Sequence, residues 1–347
     1  MGEDIDKPAL SVVIPTTGRD TLLPAVQSVL DARDSERIEV IVAGEIPGGR
    51  MLEAIRSLVV RDPRVRHLEV SYATGDSSRK KNDGLEAAGA EFVAFIDDDV
   101  VVSRDWPARI LEAFTDESVG LVGGPAMVPD ELPLAGRLAG WSLLSKASGY
   151  SRERLVRGRG QIRTVKWSRI IGCNMAYRKS VLTGIGGFHL QFWPGEEMLA
   201  SYQAEKAGHA LKFHPEAILH HYPRSTVSGF WKQIYGYGAT RIRLIRAGVE
   251  VEPATLVPFF FVLSLLALVL ALVFVPVLMW VLGAELLLYS LYVAYCTMDV
   301  VRRSRRLSCL LVFCFIPLMH LSYGVGSGAE LIFPNRDLSA NRCEGCT

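Results

Sequence analysis

The sequence predicts an α/β head followed by a helical membrane domain, and two observations carry that prediction. Through the first 250 residues short β-rich runs alternate with segments of helical periodicity, whereas residues 256–298 and 307–323 are almost wholly apolar. Strands alternating with helices imply right-handed β-α-β crossovers and a mostly parallel, Rossmann-like sheet with flanking helices. A hydrocarbon core of about 30 Å takes about 20 apolar residues per helical crossing, so the first stretch holds two crossings and the second holds one.

The strand candidates are residues 10–16 (LSVVIPT), 38–44 (IEVIVAG), 65–71 (VRHLEVS), 92–97 (FVAFID) and 119–124 (VGLVGG), with helices over 22–32 and 78–88 between them. In such a sheet ligands sit beyond the carboxyl ends of the strands. Pro15, Thr16 and Thr17 close the first strand, and Asp97, Asp98 and Asp99 close the fourth. The chain contains no G-x-G-x-x-G and no G-x-x-x-x-G-K-[ST], which argues against dinucleotide and P-loop binding. A formal net charge of +1 argues against a nucleic-acid coat.

The membrane helices are expected near 256–276, 278–300 and 307–326. Arg241, Arg243 and Arg246 precede the first apolar stretch and Arg302, Arg303, Arg305 and Arg306 follow it. Basic flanks stay on the cytoplasmic side, so an even number of crossings, a helical hairpin, lies between them. Its tip falls either at Pro276, leaving Glu285 within the bilayer, or at residues 283–285; the second is favoured because a carboxylate at a tip is cheap. Gly324, Gly326 and Gly328 mark either close helix packing or a re-entrant turn. Residues 1–10 are polar and carry no targeting segment, which keeps the head cytoplasmic in a multi-pass protein of the cell membrane. Three crossings with little internal polarity speak against transport.

This divides the chain into a cytoplasmic catalytic head (1–225), an interfacial amphipathic segment (226–255) and a membrane domain with a short tail (256–347). In the middle segment Trp231, Tyr235 and Tyr237 mix with Lys232, Arg241, Arg243 and Arg246, aromatic rings and basic tips suited to the headgroup layer. Two glycines there argue against a well-formed helix. Cys173, Cys296, Cys309 and Cys314 are scattered as reduced packing residues, and the lone pair Cys343 and Cys346 is too little for a zinc site.

The chemistry concentrates at the strand ends. Asp97, Asp98 and Asp99 in FVAFIDDDV repel one another and favour a bound cation, and oxygen ligands suit Mg²⁺ or Mn²⁺; the alternative is an acidic turn. In SSRKKN, residues 77–82, Arg79, Lys80 and Lys81 oppose the dipole of the helix they open, yet suit an anion held beside its N–H groups; the alternative is a solvated basic turn.

Taken in order, Ser11 to Thr16, Arg79 to Asn82, Asp97 with Asp99, the run from Gly172 to Arg178, Ile185-Gly186-Gly187-Phe188, and Gly195-Glu196-Glu197 resemble the motifs of family 2 glycosyltransferases of the GT-A fold. The resemblance spans roughly residues 9–240. It implies a membrane-anchored, inverting, metal-assisted enzyme of cell-envelope glycan biosynthesis. Its donor would be a nucleotide sugar, UDP- or GDP-linked, and its acceptor a lipid-linked molecule or a glycan. Asp97 and Asp99 would hold the divalent metal with His221. Pro15, Thr16, Thr17, Glu45, Arg79, Lys81, Asn82, Asp97 and Asp98 would bind the donor. Glu197 takes the position of the catalytic base, with Glu196 as the alternate. Gly172, Cys173, Asn174, Gly187, Phe188 and Trp193 would line the sugar and acceptor pocket, although the glycines suit turns equally well. His220 should face away from His221 if they share a strand.

Two departures from the family pattern stand out. The second strand ends Val42-Ala43-Gly44-Glu45 where an aspartate is usual, which leaves the nucleotide base open and raises the alternative of a catalytically silent sugar-nucleotide-binding partner. The Q-x-x-R-W motif of polymerising members is missing after Gln233, which implies transfer of a single sugar.

Overall fold

The computed structural model describes residues 7–72, 76–129, 131–155, 160–222 and 225–334; Cys343 and Cys346 lie outside them. The chain divides into two compact units, Met1–Pro129 with Glu153–Tyr222, and Asp130–Arg152 with Pro223–Thr347.

The first unit opens with β1 (Leu10–Pro15), α1 (Leu22–Leu30), β2 (Ile38–Ala43), α2 (Arg50–Arg61), β3 (Val65–Leu68), α3 (Ser77–Ala87) and β4 (Phe92–Ile96). It continues through β5 (Val100–Val102), α4 (Trp106–Glu112), β6 (Val119–Gly123) and β7 (Ala126–Met127). Helix α5 (Leu134–Leu144) belongs to the second unit, and the first resumes with β8 (Arg163–Thr164), β9 (Asn174–Arg178), α6 (Lys179–Gly184), α7 (Glu196–Lys206), β10 (Ala210–Phe213) and β11 (Leu219–His221). All five strand expectations fall on strands. The six others are short or interrupt the helix alternation, so the period-2 signal was too brief to see.

The main sheet has the order β3-β2-β1-β4-β9-β6-β10-β8. Strands β1 to β4 pair in parallel, as does β6 with β10, while β9 runs antiparallel between β4 and β6 and β8 pairs antiparallel with β10. Strand β1 is buried along nearly its whole length, which explains its unbroken apolar run. A second sheet, β5-β11-β7, pairs His221 opposite Val100 antiparallel. That register brings His221 beside the end of β4, and Tyr222 N–H donates to the Asp99 carbonyl at 2.9 Å.

The second unit is helical, with α5, α8 (Val227–Arg246), α9 (Val257–Ala271), α10 (Met279–Ser304) and α11 (Val312–Ile332). Three segments, Pro253–Ala271, Pro276–Ser304 and Leu307–Ile332, are long and apolar enough to cross a membrane. In the first two only 6% of the apolar window is buried, leaving side chains such as Leu266, Leu270 and Trp280 facing outward.

Three expectations are corrected here. The hairpin turns between Ala271 and Met279, not at 283–285, and Glu285 lies within α10, accepting a 2.5 Å hydrogen bond from Ser264 Oγ of α9. That hydroxyl gives the carboxylate one hydrogen bond inside the helical pair. Segment 230–246 is a continuous helix packed on α11, because its Gly238 is a contact point: a Cβ there would lie 2.0 Å from the Tyr323 carbonyl oxygen. Two of its arginines also turn inward. Arg241 donates to the hydroxyls of Tyr150 and Tyr323, and Arg243 pairs with Glu330 at 3.3 Å. Gly324 and Gly326 are close-packing positions against α9 and α8. Within this unit Leu138 and Trp141 of α5 pack on Val293, Cys296 and Val300 of α10 and on Val312 and Ile316 of α11. Cys173, Cys296, Cys309 and Cys314 are free thiols.

Candidate active site

The site grows from the carboxyl ends of β1 and β4. Thr16 Oγ1 donates to Asp98 Oδ2 at 2.6 Å, tying the two strand ends together, and Asp98 is 4% exposed. Asp98 is therefore an internal anchor. Its neighbours point elsewhere: Asp97, Asp99 and His221 present ligand atoms that all lie within 4.8 Å of one another. Asp99 Oδ1 is buried without a hydrogen bond, and His221 Nε2 is 3.4 Å away.

This donor set of two carboxylates and an imidazole, with one orphaned oxygen, fits a hard divalent cation such as Mg²⁺ or Mn²⁺. Burial and the Asp99 charge push the Asp97 carboxyl up to about 6. Burial alone would raise Asp99 as well, but His221 and Arg19 outweigh it and hold it low. Conversely His221 is raised, since the neighbouring Asp99 overcomes the burial that would lower it.

Arg19, absent from the sequence expectations, bridges Asp98 Oδ1 at 3.2 Å and Asp99 Oδ2 at 2.7 Å while remaining half exposed. The signal was a cation in the loop directly after the first strand, TTGRD.

Helix α7 supplies the other carboxylates. Its N-cap, Gly195, has φ +118°, and Glu196 and Glu197 occupy the first turn, where the helix dipole favours them. Glu197 lies against Gly172: a Cβ there would be 2.9 Å from Glu197 Cδ. The pairing of Ile96 with Asn174 across β4 and β9 carries the 172–173 turn to the acidic cluster. As a result the buried Cys173 thiol, raised first by burial, is raised further by Asp97, Asp99 and Glu197 together. Asp97, Asp99 and Glu197 thus lie within electrostatic reach of one thiol.

The basic segment is arranged differently from the sequence expectation. Asp76 caps α3 by accepting from Arg79 N–H, and the Arg79 side chain pairs with Asp76 at 3.0 Å. Lys80 Nζ donates to the Thr16 carbonyl at 2.9 Å, across Gly44, where a Cβ would lie 2.1 Å from that same oxygen. A glycine at position 44 is required by this close approach. Glu45 is exposed and accepts from Ser71 Oγ at 2.8 Å. Lys81 is 1% exposed and held by Glu196 Oε1 at 3.1 Å and by Glu197 Oε1.

Several expected pocket residues instead serve the scaffold. Asn82 clamps Phe188 from both sides, Nδ2 donating to its carbonyl and Oδ1 accepting from its N–H, each at 2.8 Å. Gly186 and Gly187, at φ +87° and +75°, form the turn that permits this. Phe188 is 1% exposed and packs edge-on against Phe95 and Tyr177. Asn174 is fully buried, accepting from Trp106 Nε1 and donating to the Pro125 and Ala217 carbonyls. Asn82 and Asn174 thus direct their side-chain amides to the scaffold. Their motif spacing was visible in sequence, but the direction of each side chain was not. Pro15 ends β1, Thr17 is exposed beside it, and Trp193 is 48% exposed. His220 does face away from His221. It lines a separate concavity of about 340 Å³ with Arg109 and Glu216.

Residues 11–186 match the model of Glycosyl transferase family 2. Among curated relatives, GalNAc(5)-diNAcBac-PP-undecaprenol beta-1,3-glucosyltransferase of Campylobacter jejuni is 33% identical over 93 residues, covering 26% of this chain and 30% of that one. Succinoglycan biosynthesis protein ExoA of Rhizobium meliloti is 24% identical over 268 residues, 74% of this chain and 76% of the relative. The chain spans about a third of the length of the first curated relatives it matches. Among solved structures, the mannosyltransferase PcManGT of Pyrobaculum calidifontis, in complex with GDP-Man and Mn²⁺, superposes with a TM-score of 0.60 at 14% identity, covering 95% of this chain and 88% of that one, which establishes a shared GT-A fold. With a family match over half its length that takes in the ends of β1 and β4 and the Asp97, Asp98 and Asp99 triplet, the chain belongs to glycosyl transferase family 2.

Proposed function

We propose that the chain is a membrane-bound, inverting glycosyltransferase that moves one sugar from a nucleotide-sugar donor to a lipid-linked or glycan acceptor. The observation that carries this is the cluster of Asp97, Asp99 and His221, with ligand atoms within 4.8 Å of one another and the Glu197 charge acting on Asp97, in a member of this family. Asp97, Asp99 and His221 would hold Mg²⁺ or Mn²⁺; bound there, the cation supplies positive charge opposite the donor's diphosphate.

The remaining work falls to the chain itself. Glu197, ionised and 20% exposed, takes the proton of the acceptor hydroxyl as that oxygen bonds to the anomeric carbon. The bond from that carbon to the diphosphate oxygen breaks, and its electron pair leaves with the diphosphate. One displacement from the face opposite the leaving group inverts the anomeric centre. Pro15, Thr16, Thr17 and Glu45 at the ends of β1 and β2 form the nucleotide end of the site, for a UDP- or GDP-linked donor. Three candidate spans favour an acceptor that stays in the membrane, and the glucosyltransferase relative is named for an undecaprenol-linked molecule. The head would then face the cytoplasm and serve cell-envelope glycan assembly. A complete carboxylate set gives the silent-partner alternative no support.

Full-length protein in detergent, given a panel of nucleotide sugars with Mn²⁺ and a polyprenyl-linked acceptor, should release nucleotide diphosphate and yield a product of inverted configuration. Asp99→Ala and Glu197→Gln should each abolish turnover. Full activity in both variants overturns the assignment.

A further inference from the structure

The best-defined geometry around Glu197 involves a residue that the proposed chemistry does not use. Lys81 is a lysine 1% exposed, and an ammonium is tolerated at that depth only where charges and hydrogen bonds compensate it. Compensation comes from Glu196 Oε1 at 3.1 Å and Glu197 Oε1, while the Phe188 ring lies beneath Nζ, its centroid at 5.3 Å. Asn82, the next residue along α3, clamps the backbone of that phenylalanine. Lys81 is therefore fixed on three sides, with no surface left for a diphosphate.

We propose that Lys81 is a positioning residue for sugar transfer: clamped between Glu196 and Glu197, its ammonium aims the Glu197 carboxylate and keeps it ionised to accept the acceptor's proton. This rests on Glu197 being the base and adds what sets its charge and direction. One ammonium faces two carboxylates, so the enclosed group carries an excess negative charge that a proton relieves. Glu196 is the member that takes it. It is 1% exposed, its carboxyl is pushed up to about 7 by burial and by Glu197, and its Oε2 accepts from Gly195 N–H. Glu197 is drawn the other way: burial would raise it, but Lys81 outweighs burial and holds it low. The titratable groups facing Glu197 are Lys81 from α3, Glu196 from α7, Asp97 beyond β4, Tyr177 of β9 and Cys173 before it. Lys81 supplies the positive charge among them.

The test is the pH dependence of kcat/KM in the full-length protein, with manganese-dependent UDP and GDP binding measured alongside. In Lys81→Met the acidic limb should move up by at least about one pH unit, a loss approaching about tenfold at pH values below both limbs, with the nucleotide Kd changed less than about twofold. Lys81→Arg should keep the limb in place. Should Lys81→Met fail to fold, Lys81→Met combined with Glu196→Gln removes the buried ammonium together with the second carboxyl and should still raise the limb. An unmoved limb with weakened nucleotide binding identifies a diphosphate ligand and overturns the proposal. An unmoved limb with only a lower melting temperature identifies a structural ion pair and also overturns it. Full activity in Glu197→Gln instead overturns the base assignment on which the proposal rests, so the two failures are separable.

Discussion

His221 Nε2 stands 3.4 Å from Asp99 Oδ1, although 122 residues separate them, because β11 pairs antiparallel with β5 directly beyond the acidic triplet. The pair leaves an Asp99 oxygen buried and unbonded, poised for a ligand. Calorimetric titration with Mn²⁺ should show Asp99→Asn losing at least about tenfold in affinity through loss of a ligand charge, and His221→Ala a comparable amount through loss of one donor from a set of three. Unchanged affinity in both would remove the cation site.

Gly172 lets the Glu197 carboxyl lie where a side chain would otherwise stand. Gly172→Ala sets a methyl group 2.9 Å from Glu197 Cδ, and the carboxyl must shift by several tenths of an ångström. Turnover should fall by about tenfold to a hundredfold, since misplacement on the scale of an ångström costs about that much. A melting curve within a few degrees of the parent's would separate this from unfolding, and unimpaired turnover would show that Glu197 has room to spare.

Glu196 makes stability depend on pH. Its folded carboxyl, at about 7 against an ordinary 4.5, binds its proton more tightly than the unfolded chain does. The stability it contributes is present below about pH 4.5 and is lost as pH rises through about 7. Denaturation of the metal-free protein across that window should show a decline that Glu196→Gln flattens. Parallel curves for parent and variant would contradict the assigned shift.

Gly326 of α11 sits against α8, and a Cβ there would lie 2.1 Å from the Tyr235 carbonyl oxygen, a backbone atom that cannot rotate away. Gly326→Ala should lower the detergent melting temperature by several degrees, as overpacking costs about 1–3 kcal/mol. Gly283, with nothing within 4 Å, is the matched control and should tolerate alanine.

The inferences that succeeded from sequence depended on local pattern. Apolar runs stopping at Thr16 and Asp97 located both strand ends, because a buried parallel strand needs continuous apolar residues and its ligands collect beyond its carboxyl end. Uninterrupted apolar length revealed the three candidate spans, since spanning hydrocarbon is a requirement on composition. The motifs carried the family.

Tertiary structure alone decided the direction of each polar side chain. SSRKKN reads as one basic patch, yet Arg79 turns back to its cap, Lys80 to the Thr16 carbonyl, Lys81 into a buried carboxylate pair and Asn82 onto the Phe188 backbone. Likewise IEVIVAGE gives no sign that Gly44 must be small for Lys80 to reach Thr16, nor does YGYG that Gly238 admits a neighbouring helix. Burial makes the difference. An exposed lysine has many orientations of similar energy, but one enclosed by protein has only those that satisfy its charge, and the partners that do so here are brought together by a fold that spans more than a hundred residues of chain.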